Sequence, residues 1–208
     1  MISDRYIAIG DIHGLALALD ALLDRIPADG TLVFLGDYID RGLHSPQVVA
    51  RLLRLEHERP CVFLRGNHEA MLLASLAGIP GIEEIWLRNG GRETLESYRW
   101  EIPDDHLAFF ARSQLYYPTA EYIFVHAGLV PGEAPEQSEP DQLLWIREPF
   151  LSSTYDWGRL VVHGHTPTED GLPDFRVNRL NVDTGAVYGR ALTAVVLPEM
   201  EFIAVTGK

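Results

Sequence analysis

The sequence predicts an α/β fold, on three observations. The first 77 residues alternate short apolar, strand-like runs with helix-like segments three times over, the pattern of β-loop-α units. Each of those runs ends in a compact polar loop: Gly-Asp-Ile-His-Gly at 10–14, Gly-Asp-Tyr-Ile-Asp-Arg-Gly at 36–42 and Arg-Gly-Asn-His-Glu at 65–69. The back half is strand-rich, and two of its runs end in histidine. With 208 residues, 47% hydrophobic and 23% charged, the chain can bury one sizeable core, so a single domain over 1–208 is expected.

The elements follow in order. A strand at 6–9 leads to a helix near 15–25, where Leu15, Leu19, Leu22 and Leu23 keep the three-and-four spacing of a buried face. Pro27 and the Asp29-Gly30 turn end it. A strand at 31–35 leads through the second loop to a helix near 46–56, with Ser45 as N-cap and Pro46 at the first helical position. A strand at 61–64 and a helix near 69–76 close the third unit. Residues 79–115 change character: glycine and proline punctuate the start, and two short helices are expected near 92–98 and 104–112. That stretch is too short for a core of its own and is predicted to be a small helical insertion beside the loops. Strands follow at 121–125, 160–162, 178–182, 192–197 and 202–205, with 131–140 a mobile, solvent-facing Pro/Glu-rich loop.

Composition excludes several classes of function. The formal charge of −13, about −9 with two divalent cations added, argues against a broad nucleic-acid-binding face, which needs clustered Lys and Arg. No apolar run is long enough to span a bilayer, so no membrane role is expected. The start, Met1-Ile2-Ser3-Asp4-Arg5, lacks the features of a signal peptide. The single cysteine, Cys61, permits no internal disulfide and reads as a small buried hydrophobe. A cytoplasmic location is the default expectation.

In open α/β sheets ligands gather beyond the carboxyl ends of the strands, and the three polar loops sit there. Their Asp, Asn and His side chains are oxygen and imidazole donors, which hold hard-to-borderline divalent metals. A binuclear hydrolytic centre needs a carboxylate shared by two cations about 3.5–4 Å apart. Asp11, His13 and Asp37 can serve one cation, and Asp37, Asn67, His126 and His165 the other. Taken singly, Asp11, Asp37 and Asn67 read as turn or helix caps. Capping explains neither their order nor the two histidine-bearing strand ends downstream. His44, His57 and His106 are read as surface residues, Trp86, Trp100 and Trp157 as packing residues, and Arg65 as a loop-fixing salt bridge.

The three loops, together with Val125-His126-Ala127-Gly128, Leu144-Trp145-Ile146-Arg147-Glu148, Gly164-His165-Thr166-Pro167 and Asp183-Thr184-Gly185, resemble the signature set of the PPP-type metallophosphatases. That group includes serine/threonine protein phosphatases, phage lambda phosphatase and symmetrical diadenosine tetraphosphatases, within the calcineurin-like metallophosphoesterases. The spacings of 26 residues from Asp11 to Asp37 and 30 from Asp37 to Asn67 make the signal specific. The resemblance spans about residues 4–197 and implies a β-sandwich flanked by helices. It also implies Asp11, His13, Asp37, Asn67, His126 and His165 as ligands of two divalent ions. Manganese is favoured; iron and zinc suit the same donors. His163, before the glycine, is read as structural, with the ligand role open to it in place of His165.

The implied chemistry is hydrolysis by direct attack of a metal-bridging hydroxide, with no phosphoenzyme. Arg41 and Arg147 clamp the phosphoryl group, helped by Asn67. His68 is the general acid, oriented and kept protonated by Asp40. Asp183 is read as holding a ligand histidine, and Tyr188 as lining the site. Phosphoserine or phosphothreonine in proteins, or another phosphomonoester, is the first expected substrate. The alternative is symmetrical hydrolysis of diadenosine tetraphosphate, set second because a short chain leaves little material for a dinucleotide pocket. The rivals are a non-catalytic phosphoprotein-binding scaffold and a metal-dependent nuclease. The complete donor set counts against the scaffold, and the acidic surface against the nuclease.

Overall fold

The computed structural model describes residues 4–207; Met1–Ser3, part of the segment read for a leader, lie outside them. The strands are β1 (Tyr6–Ile9), β2 (Thr31–Phe34), β3 (Cys61–Phe63), β4 (Tyr116–Pro118), β5 (Tyr122–Val125), β6 (Leu160–His163), β7 (Asp174–Phe175), β8 (Arg179–Asn181), β9 (Ala191–Leu197) and β10 (Glu201–Thr206). The α-helices are α1 (Ala16–Leu23), α2 (Ser45–Glu58), α3 (Asn67–Leu76), α4 (Ile82–Trp86), α5 (Arg92–Ser97), α6 (Asp104–Arg112) and α7 (Pro140–Trp145). Among the described residues no helix is long and apolar enough to cross a membrane.

The strands form two five-stranded sheets, ordered β10-β9-β1-β2-β3 and β4-β5-β6-β8-β7. In the first, β1-β2-β3 run parallel to one edge and β9 and β10 extend the sheet antiparallel on the other side; in the second, a parallel centre β5-β6-β8 is flanked by antiparallel β4 and β7. The sheets pack face to face, as alternation along the strands dictates. Tyr6, Ala8, Val33, Leu35, Val62 and Leu64 meet Phe124, Val162, Leu180 and Val182 between the sheets. Their neighbours Ile7, Ile9, Leu32 and Phe34 point outward onto Leu19, Leu22, Val48 and Leu52 of α1 and α2. On the far side Ile123, Val125 and Val161 are covered by Leu143 of α7, Leu129 and Phe150. The predicted sandwich flanked by helices is what the chain forms.

Phe124 is fully buried between the sheets, with its ring 5.6 Å from that of Tyr6 and 6.2 Å from that of Tyr117. Phe124→Ala is expected to cost about 3–5 kcal/mol in urea denaturation of the metal-free protein; a loss under about 1 kcal/mol would remove this layer as the principal core.

Several boundaries differ from expectation for local reasons. His44 caps α2 and Ser45 is its first residue; the Ser45 hydroxyl turns instead to Thr94 Oγ1 at 3.3 Å. α3 begins at Asn67, so Asn-His-Glu forms its first turn. The insertion holds one helix more than expected, α4, joined to α5 by a π-helical turn over Leu87–Gly91. It has no separate core: Trp86, Phe109 and Phe110 pack into the layer under α1 and α2. β4, β7 and α7 were not foreseen; stretches of three, two and six residues are too short to show a periodicity. Pro135 in the 131–140 loop is buried on a short 3₁₀ turn, Pro135–Gln137. Cys61 is half-buried.

Candidate metal centre

The site lies beyond the carboxyl ends of β1, β2, β3, β5 and β6. Register pairs Ile9 with Phe34 and Phe34 with Phe63, so the loops carrying Asp11, Asp37 and Asn67 leave one edge together. These loops are bent hard. His13, Asp37, Asp40, Arg41 and His165 hold φ of 45°, 53°, 73°, 67° and 66°, the left-handed region that costs a side-chain-bearing residue about 1–3 kcal/mol. Two glycines are required by close approach. A Cβ on Gly66 would fall 2.0 Å from Asp37 Oδ1, and one on Gly164 2.2 Å from Asp11 Oδ1.

Glu69, quoted only as the end of its motif, holds this backbone. Its buried carboxylate accepts the N–H groups of Asp37 (2.9 Å), Tyr38 (2.8 Å) and Gly66 (2.9 Å). Burial raises its pKa to about 7, against the pull of those backbone donors. Its place at the third position of α3 is the signal that could have revealed it.

Asp37 is the meeting point. Its Oδ2 faces His13 Nε2 at 3.4 Å and His68 Nε2 at 3.8 Å; its Oδ1 faces His126 Nε2 at 3.5 Å. Asn67 Oδ1 lies 2.9 Å from both His126 Nε2 and His165 Nδ1. Two donor groups result, His13–Asp37–His68 and Asp37–His126–His165, all buried and sharing Asp37. Asp11 is buried beside them, 3.2 Å from the His165 backbone N–H by each oxygen. The group around His13 thus contains His68 where Asp11 was expected. His68 Nδ1 is already engaged at 2.6 Å by Asp40.

This arrangement fits cations. His13 Nδ1 and His126 Nδ1 donate to the carbonyls of Ile39 and Leu35, each at 2.8 Å, so in the neutral rings both Nε2 atoms carry bare lone pairs. His126 Nε2 then confronts Asn67 Oδ1 and Asp37 Oδ1, acceptor against acceptor. Two donors each about 2.1 Å from one metal lie about 3.0–3.4 Å apart, close to the spacings found. Electrostatics agrees. Burial pushes Asp11 and Asp37 well above the ordinary carboxylate range, with Asp183 adding to Asp11 and Glu69 to Asp37. Burial lowers His126 to about 3 and His165 to about 2, and holds His13 well below its usual value, so the imidazoles are neutral and able to ligate. The described residues can hold metal ions here.

Asp40, fully buried, accepts from Trp86 Nε1 (2.9 Å), Thr94 Oγ1 (2.6 Å) and His68 Nδ1 (2.6 Å). Burial raises Asp40 to about 7 and lowers His68 well below its usual value. The three donors aimed at Asp40 nonetheless keep the shared proton on His68 Nδ1. Trp86 and Thr94 were missed as contributors; Trp86 is buried as expected but uses its indole N–H.

Arg41 Nη1 lies 2.5 Å from His13 Nε2, and its guanidinium stands over the Tyr188 ring, 5.6 Å from the centroid. Arg147 is exposed and lines an open cavity of about 830 Å³ with His165, Trp145, Gln142 and Asn89. Both guanidinium charges act on His165 and Asp183. Tyr188 is 61% exposed.

Other expectations need correction. Asp183 Oδ1 accepts from the Gly185 N–H at 3.0 Å, not from a histidine; burial raises it to about 6, and it repels Asp11. His163, read as structural, lies outside both donor groups, with Nδ1 3.2 Å from the Gly164 carbonyl and its ring T-shaped against Phe150. Arg65 binds carbonyls of Ala111 and Ser113 rather than an acid. His106 is buried, with Nδ1 2.7 Å from the Tyr98 hydroxyl. Trp100 is 63% exposed.

Residues 5–189 match the calcineurin-like phosphoesterase family. Among curated proteins, the asymmetrical bis(5'-nucleosyl)-tetraphosphatase PrpE of Halalkalibacterium halodurans is 26% identical over 96% of this chain and 93% of its own length. Among solved structures, a provisionally assigned diadenosine tetraphosphatase superposes with TM-score 0.79 at 24% identity, over 100% of this chain and 95% of that one. A Saccharomyces cerevisiae protein serine/threonine phosphatase with similarity to human PP5 gives 0.63 at 18%, over 98% and 79%; these two show likeness of fold. With the family spanning most of its length and two buried donor groups sharing one carboxylate, the chain belongs to the calcineurin-like metallophosphoesterases, metal-dependent hydrolases of phosphoesters.

Proposed function

We propose that the substrate is a dinucleoside tetraphosphate, cleaved asymmetrically into a nucleoside monophosphate and a nucleoside triphosphate. The carrying observation is the cavity of about 830 Å³ that opens at His165, a size that takes a nucleotide. Trp145 on its wall is 42% exposed, its ring 6.0 Å from that of His165. It offers an aromatic face to a base beside the donors that would hold the phosphates. Relatives named as tetraphosphatases, matched over nearly their whole length, support this reading and weigh against the objection from chain length. The cavity's wide mouth favours, as a second reading, a phosphoserine or phosphothreonine presented on a protein.

Asp11, His13 and Asp37 would hold one divalent cation, and Asp37, Asn67, His126 and His165 another, with manganese the metal to supply first. The chemistry that such cations bring is Lewis-acid polarisation of the phosphoryl oxygens and a lowered pKa for water. Arg41 and Arg147 bind non-bridging phosphate oxygens and place the phosphorus. His68, its Nδ1–H held by Asp40, presents Nε2 towards Asp37 and the centre of the site. In the imidazolium form, with Asp40 ionised beside Nδ1–H, Nε2 gives its proton to the oxygen leaving phosphorus while a water oxygen bonds to phosphorus, and the water's own proton passes to solvent.

The purified protein with manganese, offered diadenosine tetraphosphate and a phosphoserine peptide, is expected to release AMP and ATP, read by ion-exchange chromatography. Two molecules of ADP would instead mean symmetrical cleavage. Turnover of the peptide alone would install the second reading. In the same assay Trp145→Ala is expected to raise KM for the dinucleotide about ten-fold, the worth of one base–aromatic stack, and to leave p-nitrophenyl phosphate nearly unchanged.

A further inference from the structure

We propose that Thr94 and Trp86, on the helical insertion, are positioning residues for the general acid, acting on His68 through Asp40. This rests on the hydrolytic reading above, in which His68 protonates the leaving oxygen.

The insertion is fitted around one dipeptide. Asp40 and Arg41 both hold left-handed backbone, φ 73° and 67°, and need outside support to stay there. Thr94 gives it twice: its hydroxyl donates to Asp40 Oδ1 at 2.6 Å and accepts the Asp40 N–H at 2.8 Å. Trp86 Nε1, at the end of α4, donates to Asp40 Oδ2 at 2.9 Å. Between them the Gly90 carbonyl accepts the Arg41 N–H at 3.2 Å. Gly91 lies flat on the Trp86 indole, where a Cβ would fall 2.5 Å from the ring. Nine residues from Trp86 to Thr94 thus close around a buried carboxylate whose remaining partner is His68 Nδ1. With both oxygens occupied, Asp40 has one orientation, and the direction of His68 follows from it. None of Thr94, Trp86 and Asp40 belongs to either donor group, so the centre should assemble without them.

A buried threonine and tryptophan could merely stabilise the insertion, and the test separates the two roles. The variants are Thr94→Val, which keeps shape and removes the hydroxyl, Thr94→Ser, which restores it, and Trp86→Phe. Rates are measured with manganese on aryl phosphates of rising leaving-group pKa, from 2,4-dinitrophenyl to phenyl phosphate. Thr94→Val and Trp86→Phe are expected to lower kcat for phenyl phosphate at least about ten-fold, a part of the factor of about 10²–10⁴ that a general acid supplies. The dinitrophenyl ester, whose leaving group needs no proton, should change less than about two-fold, with KM steady. Thr94→Ser should recover most of the loss. On a His68→Asn background Thr94→Val should have no further effect, because groups that act as one unit are not additive. Manganese binding by calorimetry should match the unsubstituted protein.

The proposal is overturned if both esters slow equally, if Thr94→Val lowers kcat by the same factor with and without His68, or if metal affinity falls with activity. Failure of His68→Asn itself to slow phenyl phosphate would instead sink the underlying assignment of His68. Should Trp86→Phe fail to fold, the Thr94 pair decides alone.

Discussion

Asp37→Asn is expected to lower turnover at least about 10³-fold, since the charge it removes serves both candidate cation positions and metal assistance is worth several kcal/mol of barrier. The substitution keeps the oxygen that accepts the His68 backbone N–H at 3.2 Å, so the loop has no steric reason to move. Metal content by mass spectrometry should fall from two ions to one or fewer. Stability should move the other way. Burial and the Glu69 charge raise the folded-state pKa of Asp37, so at neutral pH its ionisation opposes folding. Below the unfolded value, near about 3.9, both states are protonated and the penalty vanishes. Metal-free Asp37→Asn is therefore expected to melt higher than the unsubstituted protein at neutral pH, with the gain fading as pH falls from the raised folded-state value and gone below about 4. Adding manganese should reverse the ranking, because ligand binding stabilises only the protein that still binds it. A variant that kept two metals and a tenth of its activity would dismiss Asp37 as the shared ligand.

His68→Asn is expected to be the second largest loss, and a selective one. For an alkyl or phenyl ester the leaving oxygen requires a proton, and kcat should fall by about 10²–10⁴. For a phosphoanhydride or a nitrophenyl ester the leaving group is far less basic, and the loss should shrink to a few-fold. Metal affinity should hold, because Asp37, Asn67, His126 and His165 keep their places and the His68 Nδ1 faces Asp40 rather than the cations. Stopped assays across a leaving-group series, with calorimetry for manganese, check both halves. A uniform loss together with weakened metal binding would recast His68 as a ligand, the role its nearness to His13 and Asp37 permits.

Strand-end motifs could be read because both causes are local. A short apolar run fixes each strand, and the next few residues fix the loop; Asp11, Asp37, Asn67, His126 and His165 all arrive this way. The partners of Asp40 were not readable. Trp86 and Thr94 lie 46 and 54 residues further along, and nothing in a tryptophan between apolar residues tells an indole N–H aimed at a carboxylate from one that merely packs. His106 failed for a similar reason: an exposed-looking histidine in an acidic stretch finds the Tyr98 hydroxyl one helix away. Asp183 was misplaced because the turn at Gly185 offers its backbone N–H nearer than any imidazole. The short strands β4 and β7 complete the edges of one sheet but carry too few residues to announce themselves.

The donors are split between two sheets, with Asp11, Asp37 and Asn67 rooted in one and His126 and His165 in the other. Near the site the halves are joined by hydrogen bonds, from His126 Nδ1 to the Leu35 carbonyl and from the His165 N–H to Asp11, and the distance across it is held by these together with the oily layer between the sheets. Trimming a side chain in that layer would let the two jaws settle by fractions of an ångström, and hydrolysis would register the slip well before the protein came apart. Rate is therefore a finer gauge of how these sheets are docked than any melting curve.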